Sequence, residues 1–241
     1  AYEISLGLVG SEMCIRDSLT RIAGTLVNET PIRIGVGREA PSLGASVDVA
    51  VFRVNGKPCI PGSSLKGLFR SFIEILARNK GLDVHPIFGP EAQKKIEEEA
   101  RSGEFCEVCG IFGNTKLASH IRVFDSYPNG DARTFVKAGV GINRELQGAQ
   151  PGMLYTEELV LPGTNWTFRA DIYNIDVFPE SGDERGELLR ELFNVLKNHG
   201  LQVGARKTTG CGLIRLKDAR AEVFTIENGR LIKKWEGELN V

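Results

Sequence analysis

The sequence predicts an α+β domain on the ferredoxin-like, or RRM-like, plan: a strand-helix-strand-strand-helix-strand core interrupted by large insertions. Two segments carry apolar residues at helical spacing, Leu65, Leu68, Phe69, Phe72 and Leu76 in one and Leu188, Leu189, Leu192, Phe193 and Leu196 in the other. Stretches that alternate apolar and polar residues precede, separate and follow them in the order the plan requires. The long polar and glycine-rich stretches between these elements fit as insertions at about residues 31–58, 82–118 and 126–158 of one domain spanning 19–241. A chain of 241 residues, 41% of them hydrophobic, fills one substantial core rather than two.

Taken in order, residues 19–27, LTRIAGTLV, alternate well enough for the first strand. A turn-rich stretch through Pro31, Gly35, Gly37, Pro41 and Gly44 follows, and Val47, Val49 and Val51 then mark a second extended segment. After Pro61-Gly62 the first helix begins at Ser63 or Ser64, whose hydroxyls suit an N-cap, and Gly81 can close it. Residues 91–101 are helical with a thin stripe, Ala92, Ile96 and Ala100, which places them on the surface. Residues 121–125 form a short strand and residues 126–152 read as irregular. Trp166, Phe168, Ala170 and Ile172 then alternate with polar neighbours in a half-buried strand. Ser181 and Glu184 stand at capping-box spacing before the second helix, which Gly200 stops. A glycine-rich loop leads into strands at 213–216, 223–226 and 231–235.

A net charge of -1 gives no global sign of nucleic-acid binding, but acid is concentrated at residues 91–107, including Glu97, Glu98, Glu99 and Glu104, which leaves the rest of the chain basic. No run of about 18 apolar residues and no leader occurs, so neither a membrane span nor secretion is expected. Five unevenly spaced cysteines argue against a disulfide framework and for a reducing cytoplasm. The first eighteen residues, AYEISLGLVGSEMCIRDS, match a string that recurs at the ends of conceptual translations through sequencing-adapter read-through. That segment is set aside as doubtful, and Cys14 receives no functional weight.

Three motifs carry chemistry. In residues 60–67, IPGSSLKG, a Pro-Gly turn feeds a helix whose free amides, with the hydroxyls of Ser63 and Ser64, can take an anion such as a phosphate. Lys66 and Arg70 sit at the positive end of the helix dipole, where an external anion would explain them; equally, Ser63 only caps and both cations are solvated. The loop at 204–212, GARKTTGCG, offers Arg206, Lys207, Thr208 and close backbone approach to a phosphodiester, although a glycine-rich turn accounts for it as well. Cys106 and Cys109 form a CxxC pair able to share one zinc ion, with His85 as third ligand and Cys59, His120 and Cys211 as the remaining completions.

IPGSSLKG, the CxxCxxFG string at 106–113 and the GxxxTxGCG loop, in that order, resemble the RAMP superfamily, specifically the Csm-type backbone subunits of type III CRISPR effector complexes. The similarity runs from about Leu19 to the C-terminus and is strongest across residues 30–70. It implies that Asp48, in GASVD at 44–48, is an aspartate required for cutting guide-paired target RNA; by position alone Asp48 is an exposed residue on a strand. A lone carboxylate can activate or orient a ribose 2′-OH, or hold a divalent metal such as magnesium, but serves poorly as both base and acid. The resemblance also supports structural zinc in the CxxC region. It further implies that residues 131–158 form a thumb-like hairpin pushed into the guide-target duplex, with Lys137 and Arg144 as contacts and Met153 or Leu154 as wedges, where a surface loop is the plain alternative.

The expected protein is therefore a cytoplasmic RNA-binding subunit in antiviral defense. It polymerises with copies of itself along a CRISPR guide RNA, joins other type III effector subunits and acts as a metal-dependent endoribonuclease on target RNA through Asp48. A non-catalytic guide-RNA-binding subunit is the alternative. A precursor guide-RNA processing endoribonuclease is disfavoured, because His85, His120 and His199 show no paired grouping.

Overall fold

The structure is a computed structural model that describes residues 18–35, 47–178, 182–227 and 230–239. Its elements in chain order are β1 (Ser18–Asn28), β2 (Arg53–Val54), β3 (Lys57–Pro58), α1 (Gly62–Asn79), α2 (Pro90–Ser102), α3 (Glu107–Phe112), β4 (Ile121–Val123), β5 (Thr134–Asn143), β6 (Gly148–Val160), β7 (Asn165–Tyr173), α4 (Glu184–Asn198), β8 (Leu201–Gln202), β9 (Leu213–Glu227) and β10 (Arg230–Glu238). Apart from Ser18, the doubtful segment 1–18, Cys14 included, lies outside the described residues, as do residues 36–46 and Ser181.

The alternation of β1 sends Ile22 and Leu26 to one face, and β7 answers with Trp166, Phe168, Ala170 and Ile172. The main sheet runs β10-β9-β1-β7-β4, antiparallel throughout, with β8 added beside the start of β9. Its central order of β9, β1, β7 and β4 places the fourth, first, third and second core strands side by side, the arrangement a βαββαβ chain gives. Helices α1 and α4 cover the apolar face, α1 through Leu65, Phe69 and Ile73 and α4 through Leu188, Leu192 and Phe193. Phe69, Phe168 and Phe193 meet edge to face with centroids 6.2–6.4 Å apart, joining both helices to β7. Each such ring contributes roughly 1.5–3 kcal/mol by burial.

Several boundaries differ from the sequence reading for identifiable reasons. Residues 213–227 form one strand rather than two, because the polar run through Lys217 and Asp218 sits at a bulge that breaks the alternation without ending the pairing. The α1 N-cap is Pro61, not a serine: the Gly62 amide donates to the Asp125 carboxylate (2.8 Å), so the cap comes from a residue distant in sequence. In α4 the cap is Asp183, whose carboxylate accepts from the Arg185 amide at 2.9 Å. Residues 47–51 make isolated bridges, Val49 to Glu157 and Val51 to Gly35, rather than a strand. Helix α3, six residues long, is too short to show a periodic stripe in the sequence.

The stretch read as irregular holds a regular hairpin, β5 and β6, paired from Thr134↔Val160 to Asn143↔Gly148. Its glycines obscure the strand period and yet serve the pairing: a Cβ on Gly139 would lie 2.2 Å from the Tyr155 ring, which covers it from the partner strand. Beyond its root the hairpin leaves Ile142, Leu146, Met153 and Leu154 exposed, Leu154 at 71% and Leu146 at 79%. No helix among the described residues is long and apolar enough to cross a membrane.

Candidate functional site

Three consecutive residues of β6, Thr156, Glu157 and Glu158, gather the segments that carry the predicted chemistry. Residues 48–51 run alongside this part of β6: the Val49 amide donates to the Thr156 carbonyl (3.2 Å) and the Glu158 amide to the Val49 carbonyl (2.9 Å). This seats Asp48 against Thr156. The Thr156 amide and hydroxyl donate to Asp48 Oδ2 at 2.5 and 2.9 Å, and the Asp48 amide donates back to Thr156 Oγ1 at 3.0 Å. Those bonds, the backbone one first, hold the exposed Asp48 carboxyl below the usual carboxylate range. Among the described residues Oδ1 of this exposed carboxylate accepts no hydrogen bond, so one oxygen is fixed and the other is left to accept.

On the opposite face of β6, Glu157 Oε2 pairs with Arg33 Nη1 at 3.0 Å and with Arg206 Nε at 3.2 Å. Arg206 also donates to the Tyr155 hydroxyl (2.7 Å), and its guanidinium lies 5.1 Å from the centre of that ring. The glycine-rich loop is thus docked on the hairpin root. The loop's shape requires Gly212, whose φ of +88° and 2.0 Å approach of a would-be Cβ to the Val203 carbonyl exclude any side chain. A 3-10 turn at Lys207–Thr209 then presents Lys207 and Thr208 to solvent. Glu158 completes the row by binding Arg53 and accepting from the Val51 amide at 3.0 Å.

The other cations divide. Lys137 and Arg144 are exposed on the hairpin, and their side chains make no ion pair or hydrogen bond among the described residues. Lys66 donates to Ser119 Oγ at 2.9 Å, and burial and the neighbouring Arg70 push its pKa down. Arg70 is engaged internally, with Glu74 at 3.0 Å, the Gly113 carbonyl at 2.9 Å and Cys109 Sγ at 3.7 Å. Ser63 is exposed and Ser64 half-buried, and neither side chain caps α1. The structure therefore brings Asp48 and Arg206 to neighbouring residues of β6, whereas Lys66 attaches to a different segment. Sequence reasoning misses Thr156, Glu157 and Glu158, since two adjacent glutamates in a polar stretch read as solvated.

A second cluster forms where α2 meets α3. Ligand atoms of His85, Glu99, Cys106 and Cys109 lie within 4.8 Å of one another. His85 Nε2 stands 3.1 Å from Glu99 Oε1 and 3.5 Å from Cys109 Sγ. A hydrogen bond from Cys106 lowers the Cys109 pKa to about 6 and raises that of Cys106. Burial works to lower His85, but the Pro86 carbonyl and the charges of Cys109 and Glu99 outweigh it and raise the imidazole. Among the described residues buried Glu99 Oε2 has no hydrogen-bond partner, a costly state that a bound cation would relieve. This donor set of two sulfurs, one nitrogen and one oxygen fits zinc. Glu99 takes the place left open in the sequence reading, while Cys59, His120 and Cys211 stand outside the group. The signal is the position of Glu99, which continues the Ala92–Ile96 face of α2 that the sequence assigns to Ala100. Among the described residues no comparable group of three or more ligands forms at Asp48.

Comparison with known proteins gives a consistent picture. Residues 25–215 match the RAMP superfamily. The chain is similar to the CRISPR system Cms endoribonuclease Csm3 of Mycobacterium tuberculosis, 29% identical over 242 residues covering 90% of this chain and 95% of the relative. It is likewise similar to the protein of the same name from Methanocaldococcus jannaschii, 27% identical over 217 residues covering 83% of this chain and 79% of the relative.

Proposed function

The chain belongs to the RAMP superfamily as a Csm-type member, and on that premise we propose that it is a guide-RNA-binding backbone subunit of a type III CRISPR interference complex that cuts guide-paired target RNA at Asp48. The observation that carries this reading is the docking of the Asp48 segment and the basic loop on adjacent residues of β6, at the root of a projecting hairpin. RNA running past that root would meet Lys207, Thr208 and the hairpin cations Lys137 and Arg144. The hairpin's exposed Met153 and Leu154 suit wedges that unstack bases, and Leu146 at the tip joins them.

In this reading Oδ1 of Asp48, ionised at neutral pH as an exposed carboxylate is, accepts the proton of a target ribose 2′-OH. The 2′-oxygen bonds to the adjacent phosphorus, and the bond to the next nucleotide's 5′-oxygen breaks. That oxygen takes a proton from water, leaving a 2′,3′-cyclic phosphate and a 5′-hydroxyl. Asp48 supplies the base alone. Any divalent cation that assists would take ligands from RNA and water beside Asp48.

Zinc held by His85, Glu99, Cys106 and Cys109 has a structural role in the same proposal, fixing α2 and α3 beside α1 through the Arg70 contacts to Cys109 and Gly113. The site reading is tested by Asp48→Ala in the guide-loaded complex. Cleavage is expected to vanish while target affinity stays within about twofold, as for loss of a base that makes no binding contact. A variant that cuts at the normal rate rejects the site, and a wild-type complex that binds target without cutting it leaves the non-catalytic reading.

A further inference from the structure

We propose that Thr156, on strand β6 of the hairpin, is the positioning residue for Asp48, so that the strand projecting as a hairpin also sets the direction of the cleaving carboxylate. This rests on the reading of Asp48 given above.

Three hydrogen bonds join the two residues, and two of the three end on one carboxylate oxygen. Asp48 is exposed and lies in a segment of isolated bridges, so neither packing nor regular pairing fixes its side-chain torsion. Thr156 supplies that restraint. Its hydroxyl donates to Oδ2 while accepting from the Asp48 amide, which locks the carboxylate relative to its own backbone. Meanwhile the Thr156 amide, which a longer parallel ladder would give to a carbonyl, goes to Oδ2 instead.

The restraint has a fixed frame. Immediately beyond Asp48, Val49 is bonded on both sides to β6, and the neighbouring Glu158 accepts from the Val51 amide. Thr156 itself pairs with Ala138 of β5, in the hairpin ladder that continues to Asn143 and Gly148. A shift of β6 along its axis would therefore carry Thr156 with it and turn Oδ1 away from its present direction. The hairpin that contacts RNA and the carboxylate that acts on it are in this way tied to one strand, which lets engagement of the hairpin bear on the geometry of cutting.

The test uses guide-loaded complexes assembled with Thr156→Val and Thr156→Ser chains, with Asp48→Ala as reference. The readouts are the single-turnover cleavage rate per assembled complex and the target-RNA affinity. Valine keeps the shape and the backbone amide but removes the hydroxyl. It is expected to lower the per-complex rate about 10- to 100-fold with affinity little changed, the scale set by misorientation of a reacting group. Serine, which restores the hydroxyl, is expected to recover most of that loss. An unchanged rate with valine, in a background where Asp48→Ala is inactive, overturns the inference and leaves the Asp48 site standing. Serine failing to rescue also overturns it, since the hydroxyl would then not be the cause. If Asp48→Ala cuts normally, the site reading itself has failed.

Discussion

Arg53 and Glu158 make a two-bonded ion pair, Nη1 to Oε2 at 2.7 Å and Nη2 to Oε1 at 2.5 Å, which ties the β2–β3 turn to the root of the hairpin. The Arg53 guanidinium, working against burial and helped by the Val51 amide, holds the Glu158 carboxyl at about 2, below its ordinary 4.5. A lowered folded-state pKa gives stability that is fully present above the unfolded value and is lost as pH falls from about 4.5 toward about 2. The contribution at neutral pH is about 2 kcal/mol, allowing for partial solvent screening of Arg53. Urea unfolding of wild type and Glu158→Gln from about pH 3 to about pH 7 is expected to show curves that separate at neutral pH and draw closer toward the acid end. A gap that persists unchanged at the acid end would mean the ion pair is not its source.

The buried, partnerless Oε2 of Glu99 leads to a prediction about metal. Protein purified under reducing conditions is expected to carry about one zinc per chain, and Cys106→Ser with Cys109→Ser to carry none. Glu99→Gln replaces an anionic ligand by a neutral, weaker one, so zinc should be retained at first but surrendered to a chelator much sooner. Stripping the ion should lower the thermal midpoint by about 5 °C, since the α2 and α3 region loses a cross-link worth more than 1 kcal/mol. Elemental analysis and chelator kinetics read the outcome, and stoichiometric zinc in the double serine variant would exclude the cluster.

How far the sequence can be read depends on whether local pattern and tertiary context agree. Phe69 and Phe193 fall on clear helical stripes, and Phe168 on a strict alternation, so the core they share is legible from periodicity alone. The hairpin is not legible from periodicity and is implied only by the resemblance. Gly139 weakens a strand in isolation and is tolerated only because Tyr155 covers it from across the ladder, a fact of pairing rather than of propensity. Asp48 illustrates the same limit at the site: its position is given by resemblance, but its restraint by Thr156, 108 residues away, is a tertiary contact with no local signal. Glu99 is nearer to legible, since helical spacing from Ala92 and Ile96 puts a carboxylate on a buried face, which needs an explanation that a solvated acid run does not.

Lys207 offers the cleanest test of where RNA lies. It sits on the 3-10 turn of the glycine-rich loop, exposed, with no carboxylate partner among the described residues, while its neighbour Arg206 is occupied by Glu157 and Tyr155. Removing Lys207 should therefore leave the fold intact and act only on RNA, whereas removing Arg206 would also strip a buried glutamate of one of its two cations. If Lys207 neutralises a phosphate of single-stranded RNA, Lys207→Ala should weaken binding to a similar degree across RNA sequences, because a backbone contact carries no base identity. It should also reduce the slope of log affinity against log salt by about 0.7, the share of one phosphate contact. Affinity titrations of wild type and Lys207→Ala at several salt concentrations decide it. Parallel salt slopes would remove this loop from the RNA path and confine the contact to the hairpin cations Lys137 and Arg144.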